Sequence, residues 1–340
     1  MNLNNSIGTN FDVDHLKMVS HYISTCIFIF YVIFGNIGNI FKVFFFLQKP
    51  LKRCPCSIYV LFATISHFFT LNNIPLLNVL SDDWMIISFG PLNLNETNID
   101  NEFSIKICKI RNYFHMWSSN FSLQVLVFAS INRFFMTLKK KNRLQIQLLR
   151  DFFSSLSTGY FLCSITCFIW ALISLHHFFN ITIKHNICSP KNTFLWAMGL
   201  INIHIFQLII MIIFGILTIL CRQKNIKYRN HHEINSMYRY QRPERHCIEH
   251  QLTSMIITEI ILVMLTLLPY TIYIVYRLIT IENDENSLKL IYESFVERLI
   301  QLTFFFEPSC GFYIYLFSLT TLKQRFLNVL RRRIRIRLNN

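Results

Sequence analysis

Five consecutive residues of this chain have the types and spacing for zinc hydrolysis. His246-Cys247-Ile248-Glu249-His250 sets two histidines four apart on one helix face, with a glutamate between them that could act as a general base. The surroundings oppose that chemistry. The pentapeptide opens a long apolar run that reaches Tyr276, with no soluble scaffold around it, and a chain with 12 histidines makes such a match weak evidence. The other chemically able residues, His67, Glu259 and Glu307, interrupt apolar runs of their own. An ionisable group in that setting is costly and marks a functional interior. Histidine titrates near neutral pH, so a His67–Glu307 pair could answer to pH; a neutral hydrogen-bonded histidine beside a protonated glutamate is the alternative. Glu259 has no partner evident from the sequence. The chain is not expected to be an enzyme, and no catalytic residue, metal or cofactor is assigned.

The elements that hold these residues are long and apolar. Mean hydropathy is +0.38. Only 15% of the 340 residues are charged, against about 25% in soluble domains. The 34 phenylalanines suit helices that face lipid. Seven runs are each long enough to cross a bilayer: about 20–47, 56–80, 108–133, 153–179, 194–221, 247–276 and 290–317. A backbone in lipid must satisfy its own hydrogen bonds, and no polar alternation supports strands, so closed helices are expected. Pro75 and Pro269 mark kinks, and Lys42, near the end of the first run, is expected to snorkel to the interface. Ten cysteines are scattered without CxxC pairs; Cys163 and Cys167 read as small packing residues. The fold class is an all-α membrane protein, a seven-transmembrane helix bundle with a short amphipathic eighth helix. Its parts are an extracellular segment 1–19, the bundle 20–317, and an amphipathic helix with a basic cytoplasmic tail, 318–340.

A net charge of +15 could point to nucleic acid, but the distribution of charge excludes it. The segments 48–55, 138–150, 222–246 and 318–340 hold 22 of the 33 Lys/Arg. The segments 1–19, 81–107, 180–193 and 277–298 hold 7 of them, and 12 of the 18 Asp/Glu. The basic set faces the cytoplasm, which puts the N-terminus outside. The sequons at Asn4, Asn95 and Asn180 all fall on the outer set, as candidate glycosylation sites; a fourth, at Asn120, lies inside a span and is expected to stay unused. The first twenty residues do not resemble a cleaved signal peptide.

The third run reads CKIRNYFHMWSSNFSLQVLVFASINRF, with neither charge nor proline from Met116 to Ile131. As a helix, Cys108 to Arg133 measures about 38 Å, more than a hydrocarbon core of about 30 Å, so the two residues fall at opposite membrane surfaces. A cysteine at one mouth and an arginine twenty-five positions later at the other resembles the third helix of the rhodopsin-like (class A) G protein-coupled receptors.

That resemblance covers nearly the whole chain and carries implications position by position. It implies a disulfide between Cys108 and Cys188, the latter in the second outer loop, where an oxidising exterior favours the bond. The family's Asp-Arg-Tyr stands here as Asn132-Arg133-Phe134, with the arginine kept. In the family this arginine pairs at rest with an acid at the base of helix six; twenty residues before Pro269, that acid is Glu249. Asn39 and His67 keep the family's spacing of helix-one asparagine and helix-two aspartate. That aspartate binds sodium, so the sodium site is expected to be lost, with His67 and Glu307 as an internal pair in its place. Of the helix-seven Asn-Pro-x-x-Tyr, Gly311 to Tyr315 here, only Tyr315 survives, and Pro308 supplies a displaced kink. The helix-six tryptophan and the helix-five proline are missing, and Trp170 lies about ten residues beyond the family's helix-four tryptophan.

His115 replaces the aspartate of amine receptors, which argues against an amine ligand, since the ammonium would lack its counter-ion. His115, Met116, Ser119 and Asn120 fall where family members line their pocket; ordinary interhelical packing is the alternative for each. Asp82, Asp83, Glu282, Asp284 and Glu285 make an acidic outer face that suits a basic peptide. The tail TLKQRFLNVL is similar to the family's membrane-surface helix, and Arg331, Arg332, Arg333, Arg335 and Arg337 follow it. Each such charge is worth about 1 kcal/mol near an anionic inner leaflet. The resemblance thus implies a plasma-membrane receptor passing an extracellular ligand's signal to a heterotrimeric G protein. A non-signalling seven-helix protein, such as a transporter or a degenerate scavenger receptor, is the alternative.

Overall fold

The computed structural model describes residues 3–48, 51–73, 100–138, 144–184, 187–190, 193–233, 243–280 and 287–318. Among them are eight α-helices: α1 (Leu3–Phe46), α2 (Pro55–Asn73), α3 (Asp100–Thr137), α4 (Leu144–Ser154), α5 (Leu156–Asn180), α6 (Thr193–Glu233), α7 (Pro243–Thr280) and α8 (Ser287–Ser318). Between α5 and α6 lie two short strands, β1 (Ile181–Lys184) and β2 (Ile187–Pro190).

Four helices contain stretches long and apolar enough to cross a membrane: Tyr22–Phe46 of α1, Leu156–Asn180 of α5, Ile203–Asn225 of α6 and Gln251–Tyr276 of α7. Each is 23 to 26 residues long, or about 35–39 Å of helix. Their outward faces are strongly apolar: Phe168 on α5, Phe206 on α6 and Leu265 on α7 are all more than 60% exposed. Such a girdle of exposed large side chains is stable in lipid and not in water. The chain is a membrane-embedded helical protein.

α3 is the helix the others surround. It packs against α2, α5 and α6, and more lightly against α4 and α7. No residue from Arg111 to Leu138 is exposed. Its neighbours hold it through polar as well as apolar contacts, since Ser66 Oγ of α2 donates to the Ser118 carbonyl, Thr70 Oγ1 meets Ser118 Oγ at 2.9 Å, and Trp117 Nε1 donates to the Cys167 carbonyl at 3.2 Å. The core includes Tyr59, Leu126, Met211, Leu252 and Tyr315, with Cys163 and Trp170 buried in it as packing residues.

Several sequence expectations change. The helix of the first span starts at Leu3, so polar residues 3–19 continue it without a break. The fourth span starts at Leu156 and not Phe153: Ser155 is extended (φ −78°, ψ 131°), and Phe153 belongs to α4, a separate helix within what reads as a basic loop. Strands were not expected, yet β1 and β2 pair antiparallel with Ile181 opposite Pro190 and Ile183 opposite Cys188. The Ile-Thr-Ile run supplies the β-branched residues for this pairing. Buried Ile181 and the contact of β1 with α3 place the hairpin against the bundle. Pro75, Asp82, Asp83, Asn95, Glu282, Asp284, Glu285 and the tail beyond Ser318 lie outside the described residues, as do the side chains of Asn4, Cys108, Cys188 and Glu249.

Candidate functional site

The site is assembled from small residues outward. Gly35 and Gly38 of α1 allow close helix approach: a Cβ at Gly35 would stand 2.5 Å from Leu71 Cδ1 of α2 and 3.0 Å from the Ser309 backbone of α8. One at Gly38 would meet Tyr313 at 3.1 Å and Phe312 at 3.3 Å. Small residues serve this purpose wherever membrane helices touch. Asn36 and Asn72 then exchange amide hydrogen bonds of 3.0 and 2.9 Å between α1 and α2. Asn39 Nδ2 donates to the Pro308 carbonyl of α8 at 3.2 Å.

One turn beyond Gly38, Lys42 turns inward. The expectation that it snorkels is wrong. Its Nζ lies 3.4 Å from Glu259 Oε1 of α7, both side chains are only 2% exposed, and the ammonium sits 5.0 Å from the centre of the Tyr315 ring. A low-dielectric interior tolerates an ammonium only beside an opposite charge, and Glu259, unpartnered in the sequence reading, supplies it. Gly311 clears the path: a Cβ there would come within 3.3 Å of Lys42 Nζ and 3.8 Å of Glu307 Oε1.

A second pair lies beside the first. His67 Nε2 of α2 is 3.3 Å from Glu307 Oε2 of α8, and both are buried. Glu259 and Lys42 act electrostatically on Glu307, which joins the two pairs into one cluster. The Glu259 and Glu307 carboxyls lie within hydrogen-bonding reach of each other, and His67 Nδ1 has no hydrogen-bond partner. A cavity of about 30 Å³ adjoins the cluster, lined by His67, Thr70, Ser119, Ser122, Thr266 and Glu307 among others. That volume and lining suit one or two ordered waters, which need two to four polar partners each.

The remaining sequence-predicted residues separate into two regions. On α3, His115 and Ser119 face the bundle interior. The His115 ring packs edge-on against Phe304 of α8 at 5.6 Å, and Ser119 lines the cavity. Met116 and Asn120 are buried, Asn120 Nδ2 donating to the Met116 carbonyl at 2.8 Å; neither lines the cavity. At the far end, Asn132 Nδ2 donates to the Phe153 carbonyl, which ties α3 to α4. Arg133 is buried with Nε bare. Phe134 packs against Phe214 of α6 at 5.5 Å. Tyr315 is buried on α8 and Pro269 sits within α7. Asn180 ends α5, its Nδ2 bonded to the ring (2.8 Å) and carbonyl (3.2 Å) of His176.

Sequence reasoning missed Lys42 and Gly311 as members of the core, and gave no role to Arg111 or His204. A lysine on an apolar helix was a usable signal for Lys42, because a buried glutamate on another helix needed a counter-charge. Gly311 carried none. Among the described residues no group of three or more His, Cys, Asp or Glu could hold a metal ion. His246, Glu249 and His250 fall in the first turns of α7. Comparison with protein-family models and with curated proteins finds no match.

Proposed function

We propose that this chain is a divergent rhodopsin-like receptor, seven helices crossing the plasma membrane with the N-terminus outside, that couples an extracellular ligand to a heterotrimeric G protein. The observation that carries the reading is Arg133. It is a buried arginine, its Nε bare, near the C-terminal end of a helix that has no exposed residue from 111 to 138. Glu249 lies at the start of α7, the helix whose outward swing would free the arginine. Signalling is then a population shift between two bundle arrangements. The buried pairs support this because Lys42–Glu259 joins α1 to α7 and His67–Glu307 joins α2 to α8. Any rotation of α7 must loosen the first. A peptide is the favoured ligand, taken on the side of α3 that carries His115 and Ser119.

The same four ionisable side chains favour a second reading, a carrier that couples substrate movement to protons. Substrate flux in proteoliposomes would identify it.

The receptor reading is tested with the chain in nanodiscs and a mixture of purified G proteins. Glu249→Ala should raise basal GDP release about fivefold or more, the size of an ordinary allosteric coupling, and Arg133→Ala should reduce release to that of empty discs. If neither wild type nor Glu249→Ala released GDP above empty discs under any stimulus, the reading would fail.

A further inference from the structure

The inner polar core is internally balanced, with Lys42 facing Glu259 and His67 facing Glu307. The outer half of α3 is not. Arg111 and His115 stand one turn apart on the same side of the helix. Arg111 is only 7% exposed, and among the described residues no carboxylate pairs with it. His204 of α6 is 4% exposed with neither ring nitrogen hydrogen-bonded, and His115 Nδ1 is bare as well. His204 lies on α6, which packs against α3, and Arg111 and His204 both act electrostatically on His115. A guanidinium withdrawn from water needs an opposing charge and partners for its donors. The described residues around it offer none.

We infer that Arg111, His115 and His204 form a clasp for the carboxylate of an organic acid with an apolar body. The carboxylate follows from the chemistry of the clasp. A guanidinium presents a planar fork that fits two oxygens, and two imidazoles add donors beside it. The apolar body follows from what flanks the clasp: Phe304 lies against His115, and Tyr270 packs on Phe304 at 5.5 Å. The β1 strand, with buried Ile181, lies against α3. The acid can be a free aliphatic acid or the carboxyl terminus of a peptide, because both present the same group. The clasp deepens the receptor reading by naming the ligand's chemical class, and rests on it only for the consequence of binding.

The test uses the full chain in nanodiscs and thermal unfolding as readout. The probes are decanoate against decanamide, and acetyl-Leu-Phe with a free against an amidated carboxyl terminus. At least one acid should raise Tm while its amide does not, and which acid does so distinguishes the two sources. Arg111→Gln and His204→Gln should abolish the shift; Arg111→Lys, which keeps the charge without the fork, should retain a reduced one. Ile110→Ala, on the same helix but exposed and off the clasp, should leave it intact. No Tm difference between any acid and its amide overturns the inference, and so does a shift that survives Arg111→Gln. If Arg111→Gln does not fold, His204→Gln and Arg111→Lys decide alone. Acid-dependent stabilisation without GDP release would keep the clasp and remove the receptor reading. GDP release from a chain whose Tm no acid shifts would do the reverse.

Discussion

At the scale of single residues, the decisive feature is a lysine that forgoes the interface for the interior. Lys42 and Glu259 are both 2% exposed, so neither charge has water to fall back on when its partner is removed. Lys42→Met or Glu259→Leu alone should therefore cost about 3–5 kcal/mol, the usual penalty for stranding a buried charge. The double variant Lys42→Met/Glu259→Leu should recover most of that loss, because a matched apolar pair is often as stable as the ion pair it replaces. Unfolding in mild detergent, read as a double-mutant cycle, measures both. Additive losses would mean that the two side chains do not depend on each other. The His67–Glu307 relation was legible in the sequence because each residue interrupts an apolar run at a recognisable position. Lys42 gave a signal that pointed two ways, because its place four residues from the end of α1 fits snorkelling equally well. Only the position of Glu259, on a helix distant in sequence, decides between outward and inward.

At the scale of elements, helix contacts are set by where backbones can approach. Gly35 lies where α1, α2 and α8 converge, and a side chain there must displace Leu71 and the Ser309 backbone. Gly35→Val should destabilise the bundle by about 1–3 kcal/mol, the typical cost of overpacking, and weaken the Asn36–Asn72 and Asn39–Pro308 contacts on either side. Gly199 of α6 is the control, since a Cβ there meets nothing within 4 Å. Gly199→Ala should be neutral or stabilising by up to about 1 kcal/mol through helix propensity alone. Equal thermal shifts for the two variants would count against the close approach. The long helices were readable from hydropathy because lipid demands it. The break at Ser155 was not: apolar residues continue through Phe152, Phe153 and Leu156, and nothing in their periodicity marks one extended serine. The hairpin was missed for a related reason, since four-residue strands are too short for alternation to separate from loop.

At the scale of the whole molecule, the bundle sorts its helices by what surrounds them. The helices that pass a simple apolar-length criterion, α1, α5, α6 and α7, carry broad exposed apolar faces. Both α2 and α3 carry polar side chains that meet one another across the interior, such as Ser66, Thr70 and Ser118. The low hydropathy of α3 goes with its sheathed position, since no residue from 111 to 138 is exposed. This has a consequence that needs no ligand and no G protein. An iodophenyl diazirine partitioned into the bilayer and photolysed reacts with whatever side chains meet lipid. Labelled peptides should come from Phe161 and Phe168 of α5, Phe206 and Leu220 of α6, and Leu265 and Ile272 of α7, all exposed. The peptide from Met116 to Arg133, without one exposed residue, should stay unlabelled. Labelling of that peptide to the same extent as α5 would mean that α3 is not the central helix. The case for Arg133 as a sheltered switch would fall with it, because the shelter consists of the very helices that stand between α3 and lipid.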